Sequence, residues 1–513
     1  MKFHQQGLIR SGAIILLLIV VAVIILFLLP TPNSGKLAEA AVTRAATIPS
    51  DCLETPANFN SPAVLASTAP ASLWKAWTYN SSITLSATPK AALVDQPVTI
   101  RVSGLTSGEP VTLHASMRDY QHRTWSTEAT FLADHNGVVN VTRDAPRYGG
   151  YSGVHAMGLV WSMLPENVKN PAETLYAPPA TTTGYPLTLE ALANQKVLAR
   201  VTLTRYLQAP GVTKTEVATQ GLVGELYTPA TEGSHPAIVL IGGSEGGLYP
   251  QVNEAALFAS QGYVALGLAY FQGFSAAGDP RLKLLPKMLA NIPLEYFVKA
   301  ADWLKKQPGV DPHHVAIMGW SKGAEAALIT AASFPQEFQA VITFMPSSVV
   351  WSGIEYGPGP ISSSWTIKGK PLPWINPVMN ASMFGNGKPL AFVDAYQAGL
   401  KDTAAVGKAA IPVEHIAGPV LLISAGDDQI WPSPHMSEQI MRRLLAHHHD
   451  YADESLCYAD AGHAILPPYR PASASMVAVP GGSFAFGGTT TAYAFADRDA
   501  WKHVLAFLHK ALY

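Results

Sequence analysis

A hydroxyl, an imidazole and a carboxylate can together carry out acyl transfer, provided the fold brings them into contact. The chain places a serine between two glycines, Gly319-Trp320-Ser321-Lys322-Gly323. This run lies at the seam between the strand-like "HVAIMGW" and the helix-like "KGAEAALITAAS". Gly-x-Ser-x-Gly at a strand-to-helix junction reads as a nucleophile elbow. The turn is tight, so its flanks need small residues, and the hydroxyl emerges beside a helix N-terminus whose dipole favours negative charge. A serine N-cap is the competing reading of the same residues.

A serine hydroxyl needs a base. Downstream, "LLISAGDDQIWP" ends a strand-like run with Asp427 and Asp428. "CYADAGHAILPP" then carries His463, 35 positions after Asp428. The order serine, acid, histidine suits a triad in which His463 takes and returns the serine proton. Spacing alone leaves open which aspartate orients the imidazole. The expected oxyanion hole combines the backbone N–H of Lys322 with the glycine-rich loop "GGSEGG", Gly242 to Gly247. Gly243 and Ser244 are its candidate donors. No His/Cys spacing suits zinc. The "HHHD" run at 447–450 follows a helix-like stretch and reads as a helix C-terminal or solvated cluster. No metal and no cofactor are expected.

The elements that must position these residues fall into two textures. From Ser82, short β-rich runs such as "SITLSATP", "VTIRVSGL" and "PVTLHASM" recur, with a hairpin signal at Asn136-Gly137. They predict a small all-β sandwich over 82–210. From about Pro236, strand and helix alternate, which predicts a mostly parallel sheet with helices on both faces over 211–513. Residues 348–410, rich in Gly, Pro, Trp and Met, read as an insertion over the sheet. They either cover an apolar acyl pocket or form a packed lid.

The 513 residues suit two domains, and a formal net charge of -2 gives no footprint for nucleic acid. Gly12 to Leu29 is an apolar run of 18 residues without a charge, preceded by Lys2 and Arg10. It predicts a membrane segment within 1–40 whose N-terminus stays inside, with the catalytic body outside the cytoplasm. Ala38-Glu39-Ala40 resembles a signal-peptidase site, so a secreted form is the alternative. Residues 41–81 read as an Ala/Pro/Ser-rich linker. Cys52 and Cys457 either pair across the chain or remain free.

The chain resembles the acyl-CoA thioesterase and bile acid-CoA:amino acid N-acyltransferase family over about 82–513. The resemblance rests on "SKGAE" at Ser321, "GDDQIWPS" from Gly426, "GHAILPPYRP" from Gly462, and "DQPVTIRVSGL", "GEPVTLHASMRD" and "MGLVWSM" in the β region. It implies an α/β hydrolase preceded by an immunoglobulin-like sandwich. It also implies Ser321 as nucleophile, Asp428 as acid and His463 as base. The transferase branch of that family uses cysteine, so serine favours hydrolysis. The Ser-Lys-Gly-x-Glu run is a family mark; by helical spacing Lys322 is expected to pair with Glu325, three residues on, or else to bind substrate charge.

The expected function is therefore a serine hydrolase acting on small acyl thioesters or esters, with the membrane as partner through the N-terminal segment. The export signal departs from relatives that work among CoA thioesters and puts the CoA carrier in question. The other readings are an acyl-CoA:amino acid N-acyltransferase, another exported esterase or peptidase, and a binding protein with an idle triad.

Overall fold

The computed structural model describes residues 52–513 apart from 57–58, 60–67, 76, 80–81, 180–183, 274–277, 355–360, 385–386 and 480–481. The apolar run at 12–29 lies outside the described residues. Among those described, no helix is long and apolar enough to cross a membrane.

The first unit is mainly β rather than all β, with an α-helical turn at Gly158–Trp161. A three-stranded sheet holds Thr84–Thr88, Thr99–Ser103 and Val139–Asn140. A seven-stranded sheet is built around Lys196–Tyr206, Tyr185–Ala193, Pro110–Arg118 and Thr124–Leu132. Alternation puts Ile100 and Val102 of one sheet, and Val111, Leu113, Leu187 and Leu189 of the other, into one core, each fully buried. Asn136-Gly137 does form a tight turn, with Gly137 at φ 71° and its N–H donated to Asp134 O. The expected hairpin does not follow. The strand before this turn belongs to the larger sheet and the strand after it to the smaller, so the chain changes sheets there.

The second unit is an eight-stranded sheet. Its strands are β1 (Thr213–Thr219), β2 (Leu222–Thr228), β3 (His235–Ile241), β4 (Val264–Ala269), β5 (Val310–Trp320), β6 (Ala340–Phe344), β7 (Val420–Ala425) and β8 (Glu454–Tyr458). Their spatial order is β1-β2-β4-β3-β5-β6-β7-β8, parallel from β4 to β8, with β2 antiparallel to both its neighbours. The helices are α1 (Gln251–Ser260), α2 (Glu295–Leu304), α3 (Lys322–Ser333), α4 (Val393–Gly399), α5 (Thr403–Ala409), α6 (Ser433–Ala446) and α7 (Thr490–Leu512).

Period two along the strands assigns the helices to faces. Ile238 and Leu240 of β3 share a core with α1, α7 and the β unit. Val239 and Ile241 share the other core with α2, α3 and α6. Strands buried on both sides must read as continuous apolar runs, as these do. The two units are stitched at several points. Asp95 accepts from Gln261 Nε2 at 3.0 Å and Trp501 Nε1 at 3.1 Å, and Arg470 donates to Tyr176 O at 2.7 Å.

The insertion between β6 and β7 is packed through its tryptophans. Trp351 and Trp365 are buried, whereas Met379 and Met383 stay half-buried. Trp351 stacks edge-on to Tyr396 of α4.

Cys52 and Cys457 form a disulfide. Beside it, Leu53 pairs in parallel with Tyr458, and Ala459 N–H donates to Leu53 O at 3.0 Å. The segment before the first unit thus covers the exposed edge of β8, which would otherwise present unpaired backbone groups. The double variant Cys52→Ser/Cys457→Ser is expected to lose about 2–5 kcal/mol of unfolding free energy. Denaturant titration against the oxidised wild type checks this, with equal midpoints and slopes as the contrary result.

Candidate active site

β5 ends and α3 begins within one residue. Ser321 takes φ 52° and ψ −118°, a conformation that L residues avoid. The glycines explain why the turn can close. A Cβ on Gly319 would lie 2.2 Å from Gly323 O, and one on Gly323 would lie 2.2 Å from Gly242 O. Both positions are therefore fixed by close backbone approach. Ser321 O accepts from Ala324 N and Glu325 N at 2.9 and 3.1 Å, which starts the helix. The hydroxyl itself caps nothing, so the N-cap reading of the side chain fails.

The hydroxyl instead faces His463. Ser321 Oγ lies 2.9 Å from His463 Nε2. His463 Nδ1 lies 2.8 and 2.9 Å from the two carboxylate oxygens of Asp428. With Nδ1–H donating to the carboxylate, Nε2 is left to accept the serine proton. Asp428 is held in turn by Ile430 N, Trp431 N and Ser433 Oγ, at 3.0, 3.2 and 2.7 Å. Trp431 and Phe486 flank the imidazole, with ring centroids 5.9 and 5.8 Å away.

Asp427 points elsewhere. It accepts from Gln429 Nε2 at 2.6 Å and Gly488 N at 2.7 Å, so it braces the loop against the start of α7. The sequence alone could not separate these neighbours; the direction of the chain after β7 does.

Lys322 and Glu325 pair at 2.7 Å, both buried. Burial pushes the lysine down and the glutamate up, and each charge opposes the other's shift. Glu325 also accepts from Trp365 Nε1 at 2.7 Å and Trp351 N at 3.1 Å, so it ties the insertion to the elbow helix. The Lys322 side chain therefore does not reach out to bind substrate charge. Its backbone N–H, at the first position of α3, is among those without an intrahelical partner.

In the expected oxyanion loop one amide is already engaged. Gly243 N–H is already donated, at 2.7 Å, to the Glu245 carboxylate, because the side chain curls back over its own loop. Gly243 is thus not a free donor here. Ser244 follows it, half-buried. Glu245 lies inside the GGSEGG run, and no local pattern there assigns its carboxyl a role.

The fold and this hydrogen-bonded chain define an α/β hydrolase with a serine-hydrolase type of site. Residues 292–513 match the family model described as BAAT / acyl-CoA thioester hydrolase C terminal, and 95–219 match the acyl-CoA thioester hydrolase/BAAT N-terminal region. Residues 222–357 match the dienelactone hydrolase family. The chain is 31% identical to mitochondrial acyl-coenzyme A thioesterase 2 of Mus musculus, over 84% of this chain and 89% of that protein. It is 32% identical to acyl-coenzyme A thioesterase 1 of Homo sapiens, over 82% and 94%. A solved structure of a putative dienelactone hydrolase from Klebsiella pneumoniae covers 58% of this chain and 98% of its own, at 16% identity and a TM-score of 0.35. The chain belongs to the acyl-CoA thioester hydrolase/BAAT family.

Two outcomes follow. Asp428→Asn should lower kcat by about 10⁴-fold, as loss of the correct tautomer does in such triads, while Asp427→Asn leaves kcat largely intact. Steady-state rates of the two variants decide the register. Glu325→Ala strands a buried lysine, the Trp365 indole N–H and the Trp351 backbone N–H, so it should cost about 3–5 kcal/mol in denaturant unfolding. A surface-like loss below about 1 kcal/mol would contradict the pairing.

Proposed function

We propose that the protein hydrolyses acyl thioesters through an acyl-Ser321 intermediate. One observation carries the reading: an unbroken line from Ser321 Oγ through His463 to Asp428, presented at a strained elbow in a member of this family. His463 takes the Ser321 proton as Oγ bonds to the acyl carbon, and then gives it to the departing thiolate as the C–S bond breaks. Water then repeats the sequence: His463 takes its proton as the water oxygen bonds to the acyl carbon, and returns the proton to Ser321 Oγ as the ester bond breaks. The products are a carboxylic acid and a thiol. The relatives' names support acyl-CoA as one member of the substrate class.

The β unit, which we take to be immunoglobulin-like, braces the hydrolase through α1 and α7 and, among the described residues, supplies neither Oγ nor imidazole partners. Residues 12–29 anchor the chain, with the catalytic body outside the cytoplasm. The Cys52–Cys457 disulfide supports this placement, since such bonds persist in oxidising compartments. In that setting the acyl group and its thioester link, more than the CoA moiety, define the substrate.

The test compares a fatty acyl-CoA, the same acyl chain on a small thiol, and its oxygen ester, for wild type and Ser321→Ala. Both thioesters should be cleaved at similar kcat/KM, and Ser321→Ala should lose about 10⁴-fold or more. A Ser321→Ala enzyme of near-normal rate would overturn the mechanism. A preference for the CoA form of about 10²-fold would overturn the carrier-indifferent reading and the placement outside the cytoplasm.

A further inference from the structure

The loop after β3 carries a carboxylate that the triad does not use. Glu245 Oε1 accepts the Gly243 N–H at 2.7 Å. Its other oxygen lies 2.8 Å from the point where a Cβ on Gly243 would sit, and Ser321 Cβ lies 3.1 Å from that same point. The carboxyl and the Ser321 side chain therefore both pack against Gly243. The loop is held in this shape: the Tyr270 hydroxyl reaches Gly242 O and Gly243 O at 3.1 and 3.0 Å, and Gly242 O abuts Gly323 of the elbow. An acyl oxygen that turns into an oxyanion on Ser321 needs backbone donors from the first residue of α3 and from this loop. Of the two candidate loop donors, Gly243 and Ser244, the first is the amide that Glu245 covers.

We propose that Glu245 is a built-in occupant of the oxyanion site, a positioning residue whose carboxyl caps the Gly243 amide in the resting enzyme and must release it to the acyl oxygen for turnover. This rests on Ser321 being the nucleophile.

The charge state of Glu245 then matters. An ionised carboxylate holds the amide firmly and repels the developing oxyanion, whereas a neutral carboxyl gives way. Burial pushes Glu245 up, opposed by the backbone N–H groups of Glu245 and Gly243 and by His463. The other ionisable groups around it act in the same frame. Glu254 on α1 is itself pushed up to about 8, by burial first and also by Glu245, with Arg470 opposing, so it is neutral below that pH; Tyr270 closes the loop side. The sign follows: as pH rises, Glu245 ionises, the amide is withheld, and turnover falls on the alkaline side.

The experiment measures kcat/KM against pH for full-length wild type, Glu245→Gln and Glu245→Ala, using the small-thiol thioester. In parallel it measures the affinity of an alkaneboronic acid, whose tetrahedral adduct on Ser321 places an oxygen in the same site. Wild type should decline at high pH. Glu245→Gln should lose that decline, and at the alkaline end both variants should exceed wild type by about tenfold, a fraction of what one oxyanion donor supplies. Boronate affinity should rise in step. The proposal is overturned if the wild-type and Glu245→Gln profiles superimpose. It is also overturned if both variants, with unchanged melting temperature, lose activity by one factor at every pH. Failure of the nucleophile assignment would look different, with fluorophosphonate labelling persisting in Ser321→Ala.

Discussion

The backbone of Ser321 is the constraint from which the rest of the structure follows. A non-glycine residue at φ 52° and ψ −118° stores on the order of 1–3 kcal/mol, and it stays there only because both sides of the turn are immovable. β5 lies between β3 and β6 in the middle of the sheet. α3 is buried from Lys322 through Ala332, so it has no solvent face along which to slide. Relaxing the serine would mean shifting a central strand or a fully packed helix. The strain is thus converted into the exposure of one hydroxyl.

A helix buried on all sides leaves no place for charge, and Lys322 and Glu325 can exist there only together. The carboxylate takes a lysine, an indole and a backbone N–H, which accounts for its position deep under the insertion. Other acids near the site are handled differently. Asp428 is embedded in donors and faces the imidazole. Glu245, among the described residues, has backbone amides and the charge of His463. Glu254 is fully buried with one oxygen lacking a protein partner, and its pKa is accordingly driven up. Environment, more than residue type, separates these carboxylates into different roles.

The two units are not independent beads. The core that runs through the β unit continues past α1 and α7 onto one face of the hydrolase sheet, while the insertion closes over α3 on the other. The elbow and its partners therefore sit where parallel strands end, between two braced layers. Outside them, the Cys52–Cys457 bond and the Leu53 bridge seal the edge strand that leads to His463.

By itself the sequence determined the second unit's parallel strands, because doubly buried strands must be continuous apolar runs, and it determined the elbow, because only glycine fits at 319 and 323. β1 and β2 fall within the 211–513 stretch read as the hydrolase, but outside the strand–helix alternation that begins near Pro236. They are antiparallel and of mixed polarity, so their texture resembles the β unit before them. The turn at Asn136-Gly137 was legible as a turn, but local chemistry cannot say that its two strands belong to different sheets. Ser321 and His463 could be named from order and context, and the aspartate register only from family resemblance, since adjacent residues share every local signal. What the tertiary structure alone decided are contacts between segments distant in sequence, and the curl of one loop. Trp365 found Glu325, Cys52 found Cys457, and Glu245 folded back onto the Gly243 amide, an outcome set by packing against Ser321 and Tyr270 that no periodicity encodes.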